Sequence, residues 1–307
     1  MTIGRFGLRR RSYDFPPFRP PSEANSLLLR VTRGCPWNRC AFCSMYKTVK
    51  FEIRDIEEIM GDIELANDLY GDRVRTVFIG DSNSLVAKTE MLVEVLKALL
   101  SSFPHIERVT SYARAKTIAK KSLEDLIEIY RAGLTRLHVG LETGDRDLLK
   151  KIEKGATPEE MIEAGRRAKQ AGFEYSLYVL LGIGGEEKWE SHAKGTAEVL
   201  NQIDPHFIRV RTYIPQPGSP LHDAMEQGRF RLASPETILN ETKLLLENLR
   251  VTSEFISDHI SNLLPLHGKL PEERERMVKM IDDALEGLKE DASLREEMEL
   301  RRHLTNL

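Results

Sequence analysis

The sequence predicts an α/β protein: six strand–helix units forming a parallel sheet curled into a partial (β/α)6 barrel, followed by a helical C-terminal extension. Two observations predict it. From residue 26 to residue 213, short apolar runs alternate with segments of helical period, the pattern of parallel strands joined by crossover helices. Beyond residue 221 the alternation stops and charged, helix-period segments take over. A chain of 307 residues can bury one large α/β core. The expected division is a basic, proline-rich arm over 1–24, the barrel over 25–225 and the extension over 226–307.

The arm carries Arg9-Arg10-Arg11, then Pro16-Pro17 and Pro20-Pro21. It reads as an extended segment crossing the barrel floor or left partly loose; contact with an anionic partner is the other reading. Residues 26–32 form the first strand and deliver a cysteine loop. A helix over 55–70 sets Ile56, Ile59, Met60 and Ile63 at helical spacing and stops at Gly71. A strand at 74–80 and a helix at 89–100 follow. A strand at 108–113 leads to a helix capped by Ser122 and ended by Gly133.

The fourth strand, 136–141, precedes a helix from Asp145 to Gly155. Thr157-Pro158-Glu159-Glu160 is a capping box with a first-turn proline, opening a helix to Gly172. A strand at 174–181, a helix at 186–200 and a strand at 206–213 complete the six units. In the extension, Ser234 caps a helix to about residue 249, and 251–260 is a candidate edge strand. From Pro271 a charged helix places Met277, Met280, Ile281, Ala284, Leu285 and Leu288 on one packing stripe. The last fifteen residues read as a solvated helix or tail.

A net charge of −3 exerts no general pull toward nucleic acid or membrane. No apolar run is long enough to span a bilayer, and the N-terminus lacks the apolar core of a signal peptide. Unpaired cysteines suit a reducing compartment, so a cytoplasmic protein is expected.

All three cysteines, Cys35, Cys40 and Cys43, fall in one short loop as C-x4-C-x2-C. No partners remain for a disulfide framework. Three closely spaced thiolates need a cation to neutralise them. A four-iron cluster ordinarily takes four cysteines, so three leave one iron open, as a catalytic metal site requires. The alternative is structural zinc with His259 or His267 as fourth ligand. Zinc loops pair their ligands in two half-sites, and this sequence has no second pair.

The loop resembles that of the radical S-adenosylmethionine (SAM) superfamily, whose usual spacing is C-x3-C-x2-C with an aromatic residue before the last cysteine, here Phe42. One extra residue stands in the first gap. Members of that family have a six-unit partial barrel of the TIM type, in agreement with the fold read above. The resemblance implies one oxygen-sensitive [4Fe-4S] cluster ligated by Cys35, Cys40 and Cys43. It further implies SAM chelating the open iron, reductive cleavage to a 5′-deoxyadenosyl radical, and an electron donor such as flavodoxin or ferredoxin.

Strand ends extend the resemblance over roughly residues 25–222. Gly80-Asp81-Ser82-Asn83 is similar to the stretch that holds the SAM amino group, leaving Asp81 and Asn83 as alternatives. Gly140-Leu141-Glu142 resembles the Gly-x-Glu end that contacts SAM, with Lys154, twelve positions on, as partner of its carboxylate. Lys154 also suits the end of a helix, complementing its dipole. Gly182-Ile183-Gly184 resembles the segment that packs on adenine, and Pro217-Gly218-Ser219-Pro220-Leu221 the turn after the sixth strand. Arg114 joins the SAM-binding set. The chain also resembles coproporphyrinogen-oxidase-like and Elongator-catalytic-subunit-like radical SAM proteins.

Strand parity adds an inference of its own. If Glu142 faces the barrel interior, Gly140 and His138 do too, because side chains alternate. The same alternation turns Tyr112, Arg114, Ser176, Tyr178, Arg209, Arg211 and Tyr213 inward, with Ile208 and Val210 against the helices. Buried arginines need anionic partners, so Arg209 and Arg211, with His138, are candidates to grip an anionic substrate. With no further cysteine, an auxiliary cluster is not expected, and Tyr112, Tyr178 and Tyr213 are the candidate catalytic hydrogen donors. The rival is a non-catalytic iron–sulfur or zinc module that binds RNA through the basic arm, or another partner.

Overall fold

The computed structural model describes residues 18–301; the arginine run and Pro16-Pro17 of the expected arm lie outside them, as does the end of the tail. The barrel strands are β1 (Leu27–Arg30), β4 (Thr76–Gly80), β5 (Arg108–Ala113), β6 (Leu134–Glu142), β7 (Glu174–Leu181) and β8 (Phe207–Thr212). A hairpin of β2 (Thr32–Arg33) and β3 (Glu52–Ile53) brackets the cysteine loop. The connecting helices are α1 (Ile56–Tyr70), α2 (Thr89–Ser102), α3 (Ala115–Lys120), α4 (Leu123–Arg131), α5 (Arg146–Lys151), α6 (Pro158–Gln170) and α7 (Gly185–Ile203). The remainder is α8 (Pro220–Glu226), α9 (Pro235–Asn248), β9 (Glu254–Ile256), β10 (His267–Lys269), α10 (Arg274–Glu290) and α11 (Ala292–Arg301).

One sheet runs β1-β4-β5-β6-β7-β8-β9-β10. Every pair is parallel down to β8–β9; β10 closes the edge antiparallel to β9. The order is linear, with β1 and β10 at its ends, so the barrel is partial as expected. Residues 251–260 do supply a strand, but it is not the edge: β10 covers it, because the chain turns back at 257–266 and returns the pairing that β9 would otherwise expose.

Caps set the helix starts. Ser122, Asp145, Ser219 and Ser234 each accept an N–H of the first turn, and Thr157 with Glu160 forms the full capping box. The outer faces of the strands are apolar: Val77, Ile79, Val109, Leu137, Val139, Leu177, Val179, Ile208 and Val210 are all buried against the helices. That core continues without a break into the extension through Leu245, Phe255, Met277, Ile281 and Leu288. A smaller cluster of Leu148, Ile152, Ile183, Tyr213, Leu221 and Phe230 lies by the cysteine loop, with Ala41 and Phe42 packed against it. At the other end, residues 21–23 form a turn whose Glu23 is fully buried against Arg108 and Ser26, at the starts of β5 and β1. No helix among the described residues is long and apolar enough to cross a membrane.

Candidate active site

Both flanks of the cysteine loop are tied down. On entry, the Gly34 N–H donates to Asp81 Oδ2 at 2.8 Å, Ser82 Oγ donates to the Gly34 carbonyl at 2.9 Å, and Arg30 Nε lies 3.3 Å from Asp81 Oδ1. In the middle, the Ala41 N–H donates to the Ile152 carbonyl at 2.9 Å and the Ala41 carbonyl accepts the Leu221 N–H at 2.8 Å. Trp37 docks on the loop after α5: its Nε1–H donates to the Glu153 carbonyl at 2.7 Å. Its ring covers Gly155, where a Cβ would come within 2.5 Å. The guanidiniums of Arg39 and Arg114 lie 5.2 Å and 5.1 Å from that ring.

The three cysteines are free and half-buried. Burial raises the Cys43 thiol to about 11, and raises Cys40 by more than the nearby Lys154 charge lowers it. Burial thus disfavours the thiolate of Cys40 and Cys43, and a metal bound at the loop would offset that cost. Zinc fits poorly. His259 bonds to Ser261, and exposed His267 pairs with Glu254 at 2.6 Å on β10. Among the described residues no group of three such side chains is placed to hold a single metal ion. A four-iron cluster asks for one thiolate on each of three separate corners, which three cysteines spread along one pinned loop can meet.

Beside this loop, Lys154 Nζ and Glu142 Oε1 are 2.7 Å apart, both largely buried. Burial would lower the Lys154 ammonium, but the Glu142 carboxylate outweighs it and the net shift is upward. Gly140 is a glycine because this pair lies across it: a Cβ there would sit 2.0 Å from Glu142 Oε1 and 2.8 Å from Lys154 Nζ. Glu142 has a φ of +63°, and the register with β7 skips a residue between Gly140 and Glu142. Despite the bulge, the Glu142 carboxylate lies on the same side as a Gly140 Cβ would, opposite Val139 and Leu141, which are buried in the outer core. The helix-dipole role for Lys154 gives way, because its ammonium goes to Glu142 and only its N–H serves α5, at Leu149.

Deeper in the barrel, Tyr112, His138 and Tyr178 share the inner face. The ring of Tyr112 lies 5.1 Å from Phe78 and 6.1 Å from His138. Tyr178 Oη is 3.4 Å from His138 Nδ1, and His138 Nε2 is 3.3 Å from Glu23 Oε1. Burial alone would raise Glu23; hydrogen bonds from His138 and Ser26 and the Arg108 charge hold it down at about 2. Arg211 lies over the Tyr178 ring at 5.1 Å. Arg209 is 3.7 Å from Asp258, a half-exposed residue of the segment after β9. Burial, then the Arg211 charge, holds His259 neutral at about 4. Ser176 Oγ, Arg209 Nε and Arg211 Nη2 are buried without a hydrogen-bond partner among the described residues.

The Radical SAM superfamily profile matches residues 29–194, more than half of the chain. The chain belongs to the radical SAM superfamily. Its family cofactors are a [4Fe-4S] cluster and SAM, as the cysteine loop implied. The chain is 24% identical to the heme chaperone HemW of Bacillus subtilis over 53% of its own length and 43% of the relative's. It is 26% identical to a biotin synthase of Corynebacterium glutamicum over 71% and 65%. The chain thus spans from under half to about two thirds of the length of these relatives. Coproporphyrinogen III oxidase (HemN) from Escherichia coli shares the fold at a TM-score of 0.55 and 17% identity, covering 72% of this chain and 52% of that one.

The other expected site residues of this radical SAM protein fall as follows. Asp81 and Asn83 are both taken up by protein partners: Asp81 as above, Asn83 by the Arg114 N–H and Thr117 Oγ1. Gly80 closes β4 under Leu28. Arg114 bonds to the Lys154 carbonyl at 3.2 Å. Gly182, Ile183 and Gly184 are buried, the first beneath Ala233 and Ile238, the second in the small apolar cluster. Tyr213 is not with Tyr112 and Tyr178. β8 ends at Thr212, the alternation ends with it, and Tyr213 packs on Phe230 in the cluster by the cysteine loop.

Sequence reasoning missed Trp37, Glu23, Asp258, His192 and Glu241. Only the last two carried a signal: a histidine and an acid on the apolar stripes of α7 and α9, where an ionisable group needs a reason. A surface hollow of about 440 Å³ between α9 and α10, lined by Glu247, Arg274 and Asp282, lies on the outer helices and shares none of this chemistry.

Proposed function

We propose that this radical SAM protein is an enzyme that abstracts hydrogen from an anionic substrate held in the barrel by Arg209 and Arg211. The observation that carries the reading is the pair of buried guanidinium nitrogens, Arg209 Nε and Arg211 Nη2, that find no hydrogen-bond partner among the described residues beside Tyr178. Unsatisfied buried donors cost free energy, and a carboxylate or phosphate on a substrate would satisfy both guanidiniums bidentately. Asp258 supplies Arg209 with a partly exposed counter-charge.

Cys35, Cys40 and Cys43 would hold the cluster, and a bound [4Fe-4S] cluster with SAM supplies reductive cleavage of SAM to a 5′-deoxyadenosyl radical. The Glu142–Lys154 pair offers an anion and a cation side by side, which suits the ammonium and carboxylate of SAM's amino-acid end. Arg114 and Trp37 would wall that end off, and the Gly182–Gly184 turn would shape the adenine side. Tyr112 and Tyr178 stand nearest the arginines as hydrogen donors; burial raises Tyr178 to about 12 and holds it protonated. Tyr213 is the more distant candidate. A flavodoxin or ferredoxin would supply the electron.

Anaerobically purified protein should be brown and should cleave SAM when dithionite is added; zinc without iron would return the reading to a non-catalytic module. Arg211→Ala should keep uncoupled cleavage within about threefold of wild type, because no cofactor contact is removed. Stimulation of that cleavage by carboxylate- or phosphate-bearing compounds should disappear. A variant that keeps the stimulation would rule out the anionic grip.

A further inference from the structure

Behind the two turns assigned to SAM, α9 sends in a single carboxylate. Glu241 is fully buried; its Oε1 accepts the Gly182 N–H at 2.9 Å and lies 3.2 Å from His192 Nε2. His192, on α7, is also fully buried, and its Nδ1 is 2.8 Å from Thr143 Oγ1. Thr143 Oγ1 accepts the Asp145 N–H at 3.0 Å, and Thr196 Oγ1 accepts the Gly144 N–H at 2.9 Å. His192 Nε2 faces Glu241 Oε1 without a hydrogen bond to it among the described residues, while Nδ1 and the Thr143 hydroxyl share one whose donor depends on the imidazole tautomer. The turn after β6 is pressed onto α7 as well: a Cβ on Gly144 would come within 2.1 Å of the Gly195 carbonyl oxygen. Contacts therefore run from the turn that carries Glu142, through Thr143, His192 and Glu241, to the Gly182 turn.

We propose that Glu241 is a positioning residue for SAM binding, fixing the turns after β6 and β7 relative to one another through His192 and Thr143. Glu241 Oε2 finds no hydrogen-bond partner among the described residues. A half-satisfied buried carboxylate costs stability that an apolar side chain of similar volume would not, so its presence on the apolar stripe of α9 is not explained by packing. The proposal rests on the assignment of Glu142 and the Gly182 turn to SAM.

The test uses the full-length, anaerobically reconstituted protein and radiolabelled SAM in equilibrium dialysis. Glu241→Gln and His192→Phe are each expected to weaken SAM binding by about tenfold or more, the scale of one lost charged hydrogen bond. Iron content should stay at the wild-type level. In dithionite-driven cleavage the KM for SAM should rise by the same factor, with kcat changed by less than about twofold. Leu245→Ala, a buried position one turn on in the same helix, is the control: it should lower Tm at least as much and leave SAM affinity unmoved. Equal loss of affinity in Leu245→Ala reduces Glu241 to a helix-stability residue and overturns the proposal. Unchanged affinity in Glu241→Gln, with affinity lost in Glu142→Gln, overturns it alone; unchanged affinity in both overturns the SAM-site assignment with it.

Discussion

At the scale of single residues, the site is built from groups that satisfy one another through long reaches of chain. Lys154 and Glu142 are twelve positions apart and meet only because Gly140 leaves room for them. The spacing was legible as a resemblance, the ion pair was not. Lys154→Ala should weaken SAM binding by about 1.5–3 kcal/mol, the range for charged hydrogen bonds, as measured by equilibrium dialysis on the reconstituted protein. It also strands Glu142, so some loss of Tm is expected. Lys154→Met combined with Glu142→Gln should recover that Tm without recovering affinity, because it removes the stranded charge and not the deficit in binding groups. Asp81 shows the opposite case. Its strand-end position suggested a ligand for SAM, but Arg30 and the Gly34 N–H already hold both carboxylate oxygens, which no local pattern around residue 81 reveals.

At the scale of elements, the cysteine loop is a docked object rather than a free one. Trp37 on Gly155 is the central dock, and the residue at 155 must satisfy two conditions at once: a φ of +74° and no side chain under the ring. Gly155→Ala violates both and should cost about 1–3 kcal/mol. The readout is faster loss of iron from reconstituted protein under a chelator. Gly218→Ala is the matched comparison, with a φ of +80° and nothing within 4 Å of a Cβ; it should show the backbone cost alone and retain iron like wild type. Periodicity and caps were enough to place the strands at 108–113 and 174–181 to the residue and to start α4, α6 and α9 correctly. The β2–β3 hairpin, α3 and α8 were missed, because two-residue strands and helices of six or seven residues are too short to show a period.

At the scale of the whole molecule, the extension is continuous with the barrel. β9 and β10 prolong the barrel sheet, and the core of the strands runs on into α9 and α10. A chain ending after Glu226 would expose the face of α7 that packs on α9 and leave β8 as an open edge. It should fail to give a cooperative thermal transition by circular dichroism, where the full chain gives one. The sequence by itself determined the fold class, the six strand–helix units, the three-cysteine loop and the family, because periodicity, capping and cysteine spacing are local. Tertiary structure alone decided which polar and charged groups face one another. Asp258 reaches Arg209, Glu23 reaches His138, and Glu241 reaches Gly182 across 49, 115 and 59 positions, separations over which side-chain pairing follows from the packing of the strands and leaves no periodic trace in the chain.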